Sequence, residues 1–291
     1  MAGISATDVK ALRDSTGAGM MDCKRALSDA EGDVERAVEL LRERGLAKAG
    51  KRAGRETSEG AIVFSATKGR GALIELGCET DFVAKTPDFQ GLAQGVADAL
   101  AAKGGVDEVD AALKVPMDGG SVDDVIKAAV AKVGENIQLK RVASVEVDGI
   151  VGGYVHGPGK LGVLVGIETG SAEVESAAQE IARDIAMHVA AHDPTPVAVD
   201  RDNMPEALVA KERAFLKQQA LESGKPENVV EKMVDGRLNK FFAEHCLLEQ
   251  GFVKDPDKTV RAVLAEAGKA AGGEIRVTRF ARFKLGEAAE G

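Results

Sequence analysis

Two stretches of this 291-residue chain are copies of one another, which leaves few folds open to it. A shift of 89 residues, with no gap, aligns Gly60 with Gly149, Ile62 with Val151, Ile74 with Val163, Leu76 with Val165, Gly77 with Gly166, Glu79 with Glu168 and Thr80 with Thr169. Further on, Gln90 meets Gln179, Leu92 meets Ile181, Val96 meets Ile185, Ala97 meets Ala186 and Leu100 meets Val189, so apolar positions fall on apolar positions. In the first copy, Ala61 to Thr67 and Gly71 to Cys78 read as strands of a hairpin turned at Lys68-Gly69-Arg70. Thr86 and Pro87 then supply the cap and first position of a helix whose buried face is Phe89, Leu92, Ala93, Val96 and Leu100. A repeated hairpin plus helix predicts an α+β core of two related subdomains with antiparallel sheets.

The copies part company just after the second strand, in Cys78-Glu79-Thr80-Asp81-Phe82-Val83-Ala84-Lys85. With no Trp, one Tyr and nine Phe, the chain spends aromatics sparingly, yet Phe82 stands among polar neighbours in a connection. Such a Phe either folds back under the next helix or stands out as a contact. The ungapped shift puts Gly170-Ser171 opposite Asp81-Phe82, and a Ser there argues against a shared core role.

The rest of the chain surrounds this core. Ser5 to Thr16 reads as a helix capped by Ser5, Gly17-Ala18-Gly19 breaks it, and Asp22 to Ala30 is a second helix. A third carries the stripe Val34, Ala37, Val38 and Leu41 until Gly45. Three helices this short bury little, which favours docking over catalysis. Met20 and Met21 either form an adaptable contact surface or pack between the helices. Leu46 to Glu59 reads as a basic linker, a solvated face or a patch for an acidic partner. Ser121 caps a helix ending at Gly134, and Ile137 to Val147 is a strand whose alternation is only partly in register. After His192-Asp193-Pro194-Thr195-Pro196, the segments Pro205 to Ser223 and Pro226 to Cys246 predict an inserted antiparallel helical hairpin, in which Leu208, Phe215 and Leu221 face Val230, Met233, Leu238 and Phe241. Thr259 to Ala270 is a helix, Ile275 to Phe283 a last strand, and the acidic tail from Gly286 is expected to be disordered. The expected units are a three-helix module with linker (1–55), core subdomain N (56–148), the first part of core subdomain C (149–202), the hairpin (203–246), the return segment of subdomain C (247–285) and the tail (286–291).

A net charge of -9 argues against a surface that tracks nucleic-acid phosphates and favours a protein or small-molecule partner. No membrane span or targeting segment is legible, so the expected location is cytoplasmic. Cys23, Cys78 and Cys246 lack disulfide or zinc spacing and are expected to be reduced and mostly buried. His188 and His192 share a helix face, but Val189 stands where a zinc peptidase needs its general base. Gly157-Pro158-Gly159-Lys160 lacks the Ser or Thr of a phosphate loop and reads as a hairpin turn. No nucleophile motif appears, so no catalytic residue, metal or cofactor is expected; an enzyme built on His188/His192 and a metal, or on Cys78, is the alternative.

Four motifs occur in order: Gly17-Ala18-Gly19-Met20-Met21-Asp22-Cys23-Lys24, Thr80-Asp81-Phe82-Val83, Gly134-Glu135-Asn136-Ile137 and Tyr154-Val155-His156-Gly157. Together they resemble the elongation factor Ts family, nucleotide exchange factors of bacterial and organellar translation. The resemblance covers nearly the whole chain. It implies an N-terminal ubiquitin-associated-like three-helix module, the two-subdomain core and a protruding hairpin through which two complexes could pair. It also implies elongation factor Tu as partner, with Asp81 and Phe82, flanked by Thr80 and Val83, wedged into its GTP-binding domain beside the magnesium and phosphate sites. Met20, Met21 and Lys24, together with Val133, Gly134 and Glu135, would grip the same domain, and His156 the partner's third domain. A non-catalytic adaptor is the other binding reading. Some family members continue into a further helical module, whereas this sequence stops at Gly291, so stronger reliance on the N-terminal module is expected.

Overall fold

The computed structural model describes residues 4–222 and 226–287. The expected break at Gly224-Lys225 and the tail beyond Glu287 lie outside that range.

Helices α1 (Ala6–Thr16), α2 (Met20–Asp29) and α3 (Val34–Arg52) form the N-terminal module. Ser5 and Asp8 make a capping box on α1, and the Asp33 carboxylate accepts from the Arg36 N–H at the start of α3. Val9, Leu12, Cys23, Ala26, Leu27 and Ala37 close a small core. Three sequence expectations need correction. The second helix begins at Met20, two residues early; Val34 and Val38 are exposed; and Gly45 does not stop the third helix. A glycine costs a helix roughly 1 kcal/mol, but α3 continues because it packs on the core at this point. A Cβ on Gly45 would lie 2.7 Å from that of Ala131, so its absence sets the spacing between α3 and the core. The first half of the expected linker, 46–52, is therefore the end of a 19-residue helix.

In the first copy β1 (Glu59–Thr67) and β2 (Arg70–Cys78) form the hairpin, followed by one turn of helix, α4 (Asp81–Ala84), and by α5 (Pro87–Lys103). After α6 (Val109–Ala112) and the short ribbon β3 (Pro116–Met117) and β4 (Gly120–Ser121), α7 (Val122–Val133) leads to β5 (Ile137–Glu146). The second copy has β6 (Gly149–His156), β7 (Leu161–Thr169) and α8 (Ala172–Ala191). Helices α9 (Glu206–Glu222) and α10 (Glu227–His245) project from it as the inserted hairpin. The chain then returns through β8 (Gly251–Phe252), β9 (Asp255–Thr259), α11 (Val260–Ala271) and β10 (Ile275–Lys284).

The two three-stranded antiparallel sheets run β1-β2-β5 and β10-β7-β6. Ile62, Leu73, Val145, Val151 and Leu164 pack between them, while α5 and α7 cover the outer face of one and α8 and α11 that of the other. The repeat is longer than the ungapped shift reveals. Ser121 and Thr259 cap α7 and α11, Gly134 and Gly272 end them at φ 87° and 80°, and Ile137 and Ile275 open the third strands. Val122 matches Val260, Ile126 matches Leu264 and Arg141 matches Arg279. The intervening hairpin changes the offset, which hid this half of the repeat. Both third strands also bulge at the same place, Lys140 in β5 and Thr278 in β10. That bulge explains the imperfect alternation: Ile137, Leu139 and Val142 face the helices, and Val145 faces the other sheet.

The hairpin faces also need correction. Leu216 and Ala220 pack against Val230, Val234 and Leu238, whereas Phe215 and Leu221 are exposed. The packed positions on α9 lie at multiples of four, Leu208, Leu216 and Ala220, and the step of seven from Leu208 to Phe215 leaves that side.

Candidate functional site

Strand β2 is buried from Gly71 to its end, and that end sets the course of the loop and turn beyond it. The Cys78 thiol donates to the Thr80 carbonyl at 3.2 Å, and burial pushes it up to about 11. Fully buried and kept protonated, it is placed as a structural cysteine rather than a nucleophile. Thr80 caps α4, its hydroxyl accepting from the Val83 N–H at 3.4 Å. At the other end of that single turn, the Gln90 amide donates to the Ala84 carbonyl at 2.6 Å and the Thr86 hydroxyl to the Val83 carbonyl at 2.8 Å. Val83 and Ala84 pack into the core beneath.

Phe82 points the other way and is 81% exposed, so it is not a core residue. Leaving a Phe in water forgoes roughly 1.5–3 kcal/mol of burial, which makes Phe82, on so constrained a turn, a candidate contact residue. Beside it, Asp81 accepts from Lys85 Nζ at 2.6 Å, and that hydrogen bond holds its carboxyl below the usual range.

Strand pairing changes the correspondence between the copies. Gly60 pairs with Gly77, but Gly149 pairs with Glu168; Cys78 pairs with Ile137, but Thr169 pairs with Ile275. The second copy has two more residues in its hairpin turn, so Glu79-Thr80, not Asp81-Phe82, correspond to Gly170-Ser171. The capping roles agree, since Thr80 begins α4 and Ser171 begins α8. The first copy recovers the offset by interrupting its helix at Lys85-Thr86, and this break produces the separate turn that carries Phe82. The inference from Ser171 therefore rested on a mispaired residue, although its conclusion about Phe82 agrees with the exposure.

Of the other candidates, Val133 to Glu135 lie closest to this turn. Glu135 accepts from the Thr80 N–H at 3.0 Å and hydroxyl at 2.7 Å, so Val133-Gly134-Glu135 abut Thr80 to Val83. Met20 and Met21 are 52% and 63% exposed, which rules out packing between helices, and Lys24 is exposed one helical turn on. The loop before them lies against Lys132, which pairs with Asp88 at 2.7 Å at the start of α5. His156 is exposed, 2.9 Å from the Tyr154 hydroxyl. Its neighbours Val155 and Gly157 share a cleft of about 470 Å³ with Asp81, Ala84 and Lys85. The bonds that tie Glu79, Asn136 and Arg55 into this corner had no signal in the sequence beyond three polar residues far apart.

His188 is fully buried, with Nε2 3.0 Å from Gln250 Oε1 and Nδ1 accepting from the Val253 N–H at 3.1 Å. Both ring nitrogens are engaged, so it has no lone pair for a metal. Among the described residues no three His, Cys, Asp or Glu side chains are grouped to hold one, and no helix is long and apolar enough to cross a membrane.

A family profile described as Elongation factor TS matches residues 79–287. The chain is 45% identical over 289 residues to the elongation factor Ts of Clostridioides difficile (strain 630), covering 99% of this chain and 94% of that protein. It is 47% identical over 294 residues to the elongation factor Ts of Sinorhizobium medicae (strain WSM419), covering 99% and 94%. With that of Prosthecochloris aestuarii (strain DSM 271 / SK 413) it is 47% identical over 293 residues, covering 98% and 100%. Similarity of this extent, on a two-copy α+β core carrying a three-helix module and an inserted hairpin, has one reading: the chain belongs to the elongation factor Ts family.

Proposed function

We propose that this translation elongation factor is the guanine nucleotide exchange factor of elongation factor Tu, acting in the cytoplasm. It binds the GDP-bound partner and inserts Asp81 and Phe82 beside the partner's magnesium and phosphate site, so that GDP leaves and GTP can load. The single observation that carries this is Phe82, 81% exposed on a turn held at both ends. Met20, Met21 and Lys24 hold the same partner domain, aided by Val133 and Gly134, and His156 meets the partner's third domain; Glu135 is turned instead to Thr80. No covalent bond is made or broken by this chain.

Burial of one Phe contributes roughly 1.5–3 kcal/mol, enough for an anchor but not for a whole interface. Linkage requires that the factor weaken nucleotide binding as much as nucleotide weakens factor binding, so the other contacts must supply the remaining affinity. On the hairpin, Phe215 and Leu221 offer an apolar face through which two complexes pair, a step measurable by sedimentation. The test of function is release of labelled GDP from elongation factor Tu with and without the chain. Dose-dependent acceleration is expected. Binding without acceleration would make the chain an adaptor.

A further inference from the structure

We infer that Glu135 is a positioning residue of the exchange site, acting through Thr80 rather than by touching the partner; this rests on the exchange reading of Phe82. A helix of four residues has no stability of its own, because nucleation fixes several dihedrals for a single hydrogen bond. Its direction must come from outside.

Two loops provide that direction by exchanging carboxylates. Glu135, from the loop after α7, takes the backbone N–H of Thr80 at 3.0 Å and its hydroxyl proton at 2.7 Å. In return Glu79, from the loop before α4, takes the backbone N–H of Asn136 at 2.6 Å. Asn136 is buried, and its side-chain amide donates to the Arg55 carbonyl at 2.7 Å. Arg55 Nη1 lies 3.4 Å from Glu79, which ties the end of the N-terminal module into the same staple.

The Thr80 hydroxyl has one proton, and Glu135 holds it, so the oxygen's lone pairs turn to the Val83 N–H. Hydrogen bonds to an ionised group are about twice as strong as neutral ones, so the carboxylate fixes the cap and the cap fixes the turn that carries Phe82.

The second copy serves as an internal control. Ser171 caps α8 with no side-chain hydrogen bond, and Gly273 occupies the place of Glu135. Among the described residues its corner is closed by backbone hydrogen bonds, from the Gly170 N–H to the Glu274 carbonyl at 3.3 Å and from the Val174 N–H to the Ser171 carbonyl at 3.2 Å. The fold makes this corner without the staple, and the staple occurs where an exposed Phe must be aimed.

The test uses the full chain with elongation factor Tu-GDP, measuring GDP release across factor concentration for Glu135→Ala, Thr80→Val, Thr80→Ser, Phe82→Ala and the pair Glu135→Ala/Phe82→Ala. Glu135→Ala and Thr80→Val are expected to lower the maximal rate about tenfold, with less than a threefold change in the half-saturating concentration. Thr80→Ser keeps the hydroxyl and retains activity. The double variant is expected to lose no more than Phe82→Ala alone, because the staple works only through that ring. Amide exchange at Val83 should quicken in Glu135→Ala while that at Ala97 stays slow, which separates a loosened turn from a loosened fold. A change confined to half-saturation, losses that add in the double variant, or unchanged protection at Val83 each overturns the proposal. Full activity of Phe82→Ala would instead remove the exchange reading itself, and the Val83 amide would still report on the staple.

Discussion

One corner, built twice, ends differently in the two copies. In both, a buried central strand runs out into a short loop and a capped helix that returns over the sheet. The second copy makes that return with one unbroken helix of 20 residues. The first breaks it at Lys85-Thr86, and the freed turn turns Val83 and Ala84 inward and Phe82 outward. A scaffold that is satisfied by the plain version in one copy has been altered in the other without disturbing what lies beneath, since Val96 and Leu100 are as buried as Ile185 and Val189. Duplication lets one copy hold the shape while the other presents an exposed Phe.

The largest effect should separate two phenylalanines seven residues apart. Phe89 is fully buried, and Phe89→Ala is expected to cost about 3–5 kcal/mol in a denaturant melt. Phe82→Ala should stay within about 0.5 kcal/mol of the parent. Equal costs would mean that the broken helix also serves the core. Next come Gly60 and Gly149, matched positions at φ 148° and 157°. A Cβ would sit 2.1 Å from the Leu76 carbonyl oxygen in one and 2.3 Å from that of Ile167 in the other. Alanine at either is expected to cost about 1–3 kcal/mol or more, by similar amounts, if the copies share one scaffold. An effect in one alone would break the equivalence.

A smaller effect is expected at the N-terminal module. Met20→Ala, Met21→Ala and Lys24→Ala together should weaken binding to elongation factor Tu roughly tenfold while leaving the melting temperature unchanged. Removing residues 1–50 outright would separate binding from stability less cleanly, because it cuts through α3 beside Ala49, which is buried in the first copy's core.

The smallest effect lies in the second copy, where His188 replaces the first copy's Ala99. Gln250 donates its amide to the Pro194 and Glu244 carbonyls at 3.1 and 2.6 Å, so its oxygen accepts from His188, whose Nδ1 is bare toward Val253. Burial pushes the imidazole below its ordinary range, and His192, with its ring 4.8 Å away, adds to this. A histidine kept neutral by the fold contributes stability that is present above its unfolded value near 6.5 and is lost as pH falls below it. The melting temperature should therefore drop in mild acid, and His188→Ala should flatten that slope. Equal slopes would contradict the assignment.

The core was legible because its signals are local: capping residues at Ser5, Thr86 and Ser121, a proline at a first helical position, and alternation along the hairpins. Three kinds of feature were not. Gly45 looked like a helix end because its reason for being glycine, Ala131, lies elsewhere in the chain. The second half of the repeat was displaced by the inserted hairpin. The correspondence of Thr80 with Ser171 required strand pairing, because two residues gained in one turn and two at the helix break cancel in an ungapped shift. At the site, the sequence and family resemblance pointed to Thr80 to Val83, but the reciprocal bonds of Glu79 and Glu135 depend on loops brought together only by the third strand.

We propose that the altered corner, through Phe82, drives nucleotide release. The most direct measurement is the rate of labelled GDP dissociation from elongation factor Tu at saturating factor, comparing the parent chain with Phe82→Ala. Loss of one Phe that the partner would bury predicts a fall of roughly 10- to 100-fold in the stimulated rate, with the fold's stability unchanged. An undiminished rate would contradict the claim.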